Sequence, residues 1–476
     1  RDSARAAADS EAAPARRPRR QQQQDPSRRC GTVNFNDNPV TARVTATSDG
    51  IGNYISYVGG GAVARCEGVN SVLRADSAEN FESLGQVVLI GNVSYDEPRR
   101  VRMTSMRMTY FTKDERLVAE GNVVVTLPSG TTMTGPNVEY LRDIPRLRPA
   151  SRTVAIGRPV VRAVGTGGAG GPGGRPARGA DTSVTTIVAN TIVNEADSAV
   201  YASGQVEIAR TDVTANSDSA VFDQLTEIAR LLRNARIVGR GQRSFTMTGA
   251  RIDLYSRERT LTRVQARDSA RIVSEDLNLR SDTVDLRLRE GQVERAFAWG
   301  PSRAVATSPD RDVVADSIDA RLPDQRIREL RAFRQAVARS VPDTTKIASN
   351  ERDLLAGDTI RAIFDSVAAA RDTTRNPPVR QIVAAGNAAS LFQVASQQGR
   401  TAPPSINYVK GRQITVDFDS GQVQLVTVLD RATGVYLEPG ADSTARDSTA
   451  RALPGAAPST PAAPASGSTP ARPGTT

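Results

Sequence analysis

The chain has 476 residues, of which 38% are hydrophobic and 4% aromatic. That is enough for two to four domain-sized units but too poor in large apolar side chains for one compact, aromatic-rich core. It has no histidine and two cysteines, which removes the commonest general base and leaves too few thiols for a four-cysteine zinc site. The net charge of +10 comes from arginine, since Lys113, Lys346 and Lys410 are the only lysines. It fits either an anionic partner or arginine placed on solvated faces by a GC-rich genome.

Residues 1–29 lack the apolar residues needed to offset ordering entropy and read as a disordered Arg/Gln-rich tail. The chain opens on Arg rather than Met, as a processed, exported chain or a fragment would, and no run of 18 apolar residues offers a membrane-spanning helix. Cys30 and Cys66 bracket the first ordered segment; one disulfide in an oxidising compartment suits them, and two free thiols are the alternative. From residue 70 the apolar period is two. Val87, Leu89, Gly91, Val93 and Tyr95 alternate with other residues, and Leu117, Ala119, Gly121, Val123, Val125 and Leu127 repeat the series with Glu120, Asn122 and Thr126 between them. Such alternation predicts strands with one buried face, and the return of Gly-Asn-Val at 91–93 and 121–123 predicts a structural repeat in fixed register.

A Gly-rich linker or loop, 164–181, separates a first unit, 30–163, from the rest, which divides into 182–340 and 341–436. A second phrase, led by Asp76-Ser77 and returning at Asp197-Ser198, Asp218-Ser219, Asp282-Thr283, Asp316-Ser317 and Asp358-Thr359, is expected to lead into strands. A third, Gly-Gln-Val at 85–87, 204–206, 291–293 and 421–423, is expected to supply mostly turns. Degenerate forms of Gly-Asn-Val stand at Gly157-Arg158, Gly300-Pro301 and Gly386-Asn387, and the recurring Gly is expected at a bulge or a close backbone approach. Residues 323–340 and 358–372 have helix-forming composition. Alignment of Ala332–Ala336 with Ala384–Ala388 nonetheless makes the first a strand, and the second is read the same way. Residues 437–476 form an Ala/Pro/Ser/Thr-rich disordered tail.

The stretches "LRADSAENFESLGQVVLIGNVSY" and "MTYFTKDERLVAEGNVVVTLPSGTTMTGPNVEYL" resemble the OstA-like (organic solvent tolerance-like) family of lipopolysaccharide-transport proteins, which includes a periplasmic bridge and the N-terminal domain of an outer-membrane lipopolysaccharide assembly protein. The match is clearest over 70–141. The resemblance implies an all-β fold, an elongated, open V-shaped β-jelly-roll or solenoid-like stack of antiparallel strands, whose apolar groove carries acyl chains and whose copies join end to end.

The expected function is therefore that of a non-enzymatic periplasmic carrier or bridge for lipopolysaccharide-like lipid, with or without association with the outer membrane. Its partners would be the lipid, other OstA-like domains end to end and the outer-membrane assembly machinery. The alternative is a closed structural β-solenoid acting as a cell-envelope scaffold. The groove candidates are Val87, Leu89, Val93, Leu117, Val123 and Val125, with Met106 and Met108 as adaptable neighbours. Arg99, Arg100, Arg102 and Arg107 are candidates for contacting lipid phosphates, or for protecting sheet edges. Neither cofactor nor metal nor catalytic residue is expected: a Ser nucleophile would need a base at a recurring offset, and the aspartates are too dispersed for calcium. A nucleic-acid partner is not expected, because the basic residues lack an interleaved aromatic ladder. The two ends of the stack, near Val40–Thr47 and Val423–Tyr436, are expected to be exposed edges open to another sheet.

Overall fold

In the computed structural model the described residues are 29–439, apart from 31–32, 36, 49–53, 67, 145–146, 165–183, 197, 241–243, 258–259, 276–277, 366–376, 398 and 420–421. The tails over 1–28 and 440–476, the Gly-rich segment from 165, Asp197, residues 366–372 and Gly421 thus lie outside the described residues. The described chain forms 26 strands in one sheet, every pairing antiparallel to its neighbour, with a single 3-10 turn at Pro323–Gln325. The fold is all-β, as the period-two patterning predicts. The helix-forming segments are strands, Glu329–Ser340 and Asp353–Phe364. Alternating burial decides this: Leu330, Ala332, Ala336 and Ile360 are all buried.

Strands follow one another as hairpins, so the backbone of each pairs with its ladder neighbours only. Val72–Phe81 pairs with Gln86–Glu97, then Val101–Phe111, Arg116–Thr126 and Thr132–Leu141 in turn. The next two positions in the ladder are broken strands, Arg152–Ile156 with Val160–Val164 and Val184–Val188 with Thr191–Glu195; the sheet continues through them without a gap.

Nearly every strand is interrupted at its middle by a register shift, and this is where the repeated phrases lie. Ile90 and Val93 flank one shift, Glu120 and Val123 another, and Ala385 and Ala388 a third. Between them the Gly-Asn pair takes two consecutive left-handed conformations: Gly91 has φ 79° and Asn92 φ 43°, and Gly386 has φ 75° and Asn387 φ 48°. The Gly is therefore a bulge, as expected. The Asp-Ser phrase departs from expectation. At Asp76, Asp218, Asp282, Asp316 and Asp358 it lies at mid-strand, and only Ser198 directly precedes a strand, Ala199–Ala209. The mid-strand carboxylate accepts from the Asn across the ladder, Asn92 Nδ2 to Asp76 at 2.9 Å, Asn234 to Asp218 at 3.0 Å and Asn387 to Asp358 at 3.3 Å. At Gly204-Gln205 the third phrase also forms a bulge and not a turn. The repeat is thus a hairpin whose two strands supply the two halves of one corner.

The corner folds each strand over. Glu97 and Gln86 end the same 12-residue strand, which if straight would span roughly 40 Å. Yet Glu97 touches Arg142, which follows Thr132–Leu141 at the Gln86 end of the ladder. Each strand therefore contributes half its length to each of two walls, joined along the line of corners, and the hairpin turns form the two lips of a mouth opposite that line. The inner faces hold the core. Leu73, Leu89, Met103, Met108, Leu117 and Val125 are fully buried in the N-terminal part, and Ala266, Ala296, Ala320, Ala332 and Ala384 in the C-terminal part.

Candidate functional site

The inner surface of the N-terminal part is an apolar lane built by the odd positions of the repeat. Val87, Leu89, Val93, Met108, Leu117, Val123 and Val125 all lie on it, each at most 1% exposed, and Met103 and Met133 extend it. Met106 does not: it is 60% exposed, on the outer side of the corner against Gly121, where Asn122 Nδ2 approaches its sulfur at 3.8 Å. The two-residue bulge explains this. Met106 fills the single position facing the Gly-Asn pair, so the alternation restarts at Arg107 and Met108.

The four candidate arginines do not converge. Arg99 is exposed in the turn at 98–100, Arg102 pairs with Asp96 at 3.2 Å, and Arg107, on the outer face beside the corner, lies 3.9 Å from Glu120. Arg100 reaches Asp143 on the opposite lip and lies 3.4 Å from Glu97. Burial opposes its charge, but the Asp143 hydrogen bond and the two carboxylates hold its pKa above the usual arginine value.

Arg100 belongs to a cluster that sequence reasoning missed. Arg142 donates from Nε to Glu97 at 2.9 Å and lies 3.5 Å from Glu115, with all three side chains at most 5% exposed. Tyr95 and Tyr140 donate to Glu97 at 2.9 and 3.2 Å, and Tyr110 donates to Glu115 at 3.0 Å. Burial first, then the adjacent carboxylate, pushes all three hydroxyls well above the ordinary tyrosine range, so they remain donors. The Tyr95 and Tyr140 rings, from opposite walls, stand 6.1 Å apart.

Glu97 and Arg100 come from one lip and Glu115, Arg142 and Asp143 from the other, so the cluster clasps the mouth. Cys30 completes it: its sulfur is bonded to Cys66, with a Cα separation of 5.3 Å, and its backbone N–H donates to Glu115 at 2.5 Å. The disulfide is the one that the cysteine count suggests. A signal for the cluster did exist, because Glu97 continues the buried series Val93, Tyr95, and a carboxylate in a core-facing position demands a partner.

At both ends of the ladder the terminal strands pair on one side only among the described residues. Val33–Asn34 and Arg43–Ser48 pair with Tyr54–Cys66, and Gln422–Leu429 and Thr433–Leu437 with Ser405–Asp419. The last of these leaves Val423, Leu425, Leu429, Val435, Tyr436 and Leu437 about half exposed.

Comparison with known proteins finds no matching family model and no matching curated protein. Among solved structures, the chain is similar to LptH, the LptA-homologous periplasmic component of the conserved lipopolysaccharide transport device from Pseudomonas aeruginosa. Identity is 21% over 28% of this chain and 83% of that one, with a TM-score of 0.23.

Proposed function

We propose that the chain is a non-enzymatic periplasmic carrier or bridge for lipopolysaccharide-like lipid, in which the units 30–163, 182–340 and 341–436 are successive segments of one groove. One observation carries this reading: a continuous apolar interior lies between two walls that are hinged on a line of corners and meet at the N-terminal mouth mainly through side chains, with no backbone ladder between the lips among the described residues. Such a mouth can part without dismantling the sheet. Each acyl methylene left in water costs roughly 0.8 kcal/mol, so an apolar lane that opens along its length shelters a lipid without chemistry. The terminal strands, paired on one side only among the described residues, and their apolar side chains suit association with another OstA-like domain or the outer-membrane assembly machinery.

A closed cell-envelope scaffold is the second reading, favoured by the tight packing of the lane residues on one another. A photo-crosslinking amino acid at Val123 and at its outward neighbour Val124, which is 39% exposed, separates the two. The carrier reading predicts adducts with purified lipopolysaccharide at 123 and not at 124, and weakened lipid binding by Val123→Glu while the fold persists. A folded chain that gives no adduct at 123 is a scaffold.

A further inference from the structure

Four adjacent strands of the C-terminal part carry arginine at the same cross-strand position: Arg263 pairs with Arg287, Arg287 with Arg295 and Arg295 with Arg321. Their chain neighbours Val264, Leu286, Ala296 and Ala320 are buried in the core, so the arginines lie on the outer face of the wall. Like charges directly abreast destabilise a sheet, and this row is held by carboxylates set beneath it. Asp285 takes Arg263 at 2.5 Å and Arg287 at 3.0 Å, Asp319 takes Arg295 at 2.6 Å, and Glu329 lies 3.5 Å from Arg321. These acids are nearly buried while three of the four arginines are half exposed. Each guanidinium is fixed by an acid below and keeps further N–H donors for a partner above. Glu329 is also shared with Arg331 and Arg361, so the face keeps a surplus of positive charge.

We propose that this row is a docking surface for an acidic polysaccharide, a sugar chain with one anionic group on each ring, laid across the strands. The spacing selects the occupant. Neighbouring strands lie about 4.8 Å apart, so the four arginine positions recur along the row at an interval close to the length of one pyranose ring in an extended chain. An acidic polypeptide in extended form presents carboxylates on one face only every ~6.7 Å, out of step with the row. A bilayer needs aromatic rings that project beyond the charges. Here Phe297 and Trp299 are partly buried and stacked on one another at 4.8 Å, and the Arg295 guanidinium lies 5.8 Å from the Phe297 ring.

The test uses the full chain and polygalacturonate oligomers, with Trp299, the only tryptophan, as a local fluorescence reporter on the same strand as Arg295. Binding that perturbs Trp299 emission and weakens with salt is expected, with no binding of neutral dextran. Arg287→Glu with Arg295→Glu should weaken it by about tenfold or more, the size of one or two charge-assisted hydrogen bonds. Arg287→Gln with Arg295→Gln gives the same direction should the reversal disturb folding, and Arg99→Glu with Arg102→Glu leaves binding unchanged. The proposal is overturned by absence of binding, by equal binding of dextran, by insensitivity to both double variants, or by poly-L-glutamate or phosphatidylglycerol vesicles binding as tightly as polygalacturonate. The last two results would reassign the face to a polypeptide or to a membrane surface.

Discussion

The N-terminal strands from Tyr54 to Leu141 and the C-terminal strands from Thr260 to Phe364 have one architecture and place their buried charge on opposite faces. In the first, Glu97, Glu115 and Arg142 are buried inside the mouth, beside a core of Leu, Met and Tyr. In the second, the core contains many alanines, and the buried carboxylates Asp285, Asp319 and Glu329 lie outside it under arginines. The backbone plan therefore leaves open where polar groups are buried. The N-terminal walls bury large side chains on their inner faces, and the clasp joins them at the lips. Alanine-lined walls need less filling, and there the charges serve the outer surface.

The contrast is broken most severely by removing Arg142. Arg142→Met leaves Glu97 and Glu115 buried without their cation, and loss of one partner of a buried pair costs about 3–5 kcal/mol. Arg287→Met removes an ion pair whose arginine is more than half exposed and whose acid, Asp285, keeps Arg263, and should cost about 1 kcal/mol or less. Urea unfolding of the two variants, followed by circular dichroism, should show a large loss for the first and a small one for the second. Equal losses would mean that the clasp is no more buried in solution than the outer row.

The two cores sharpen the comparison at the next scale. Leu117→Ala should cost about 2–5 kcal/mol, because it removes a fully buried side chain from a lane of large residues and leaves a cavity. The C-terminal wall should instead resist enlargement: Ala332→Leu should cost about 1–3 kcal/mol by overpacking. If leucine at 332 is neutral or stabilising, the alanine-lined interior holds spare volume and is the more probable seat of an apolar cargo.

Much of this was legible. The alternation of Val87, Leu89, Val93 and of Leu117, Val123, Val125 gave the buried face, because a strand's two faces are set by parity alone. The strand assignment of Glu329–Ser340 followed from alignment to the repeat, against its propensity. Three things were hidden. Asp76-Ser77 and its relatives were read as strand beginnings, because their partners, the Gly-Asn corners, lie one strand away and the hydrogen bond between them is non-local. Met106 was named with Met108 as an adaptable neighbour of the groove, and the bulge it faces, Gly91-Asn92, turns it outward. The clasp joins residues 45 and 27 positions apart in the chain, Glu97 and Glu115 to Arg142, through a fold-over that no local pattern encodes.

The corners test whether the plan is common to both halves. In the N-terminal part the left-handed pair begins with Gly, whereas at Arg334-Gln335 the same position holds Arg with φ 62°. A side chain in the left-handed region costs roughly 1–2 kcal/mol, and at Gly91 an added Cβ would also fall against the Asp76 carboxylate that receives Asn92. Gly91→Ala is therefore expected to destabilise by about 1–2 kcal/mol. Arg334→Gly makes the opposite change at the equivalent corner. It relieves the left-handed strain but gives the unfolded chain more freedom, a cost of about 0.5–1 kcal/mol, so it should be neutral or stabilise slightly. Thermal unfolding of both variants reads the difference. Opposite signs mean that one corner geometry, written with Gly at Gly91 and Gly386 and imposed on Arg at Arg334, runs the length of the ladder. If Arg334→Gly destabilises as much as Gly91→Ala, the Arg334 side chain contributes contacts that outweigh its strain, and the C-terminal corners are a separate device.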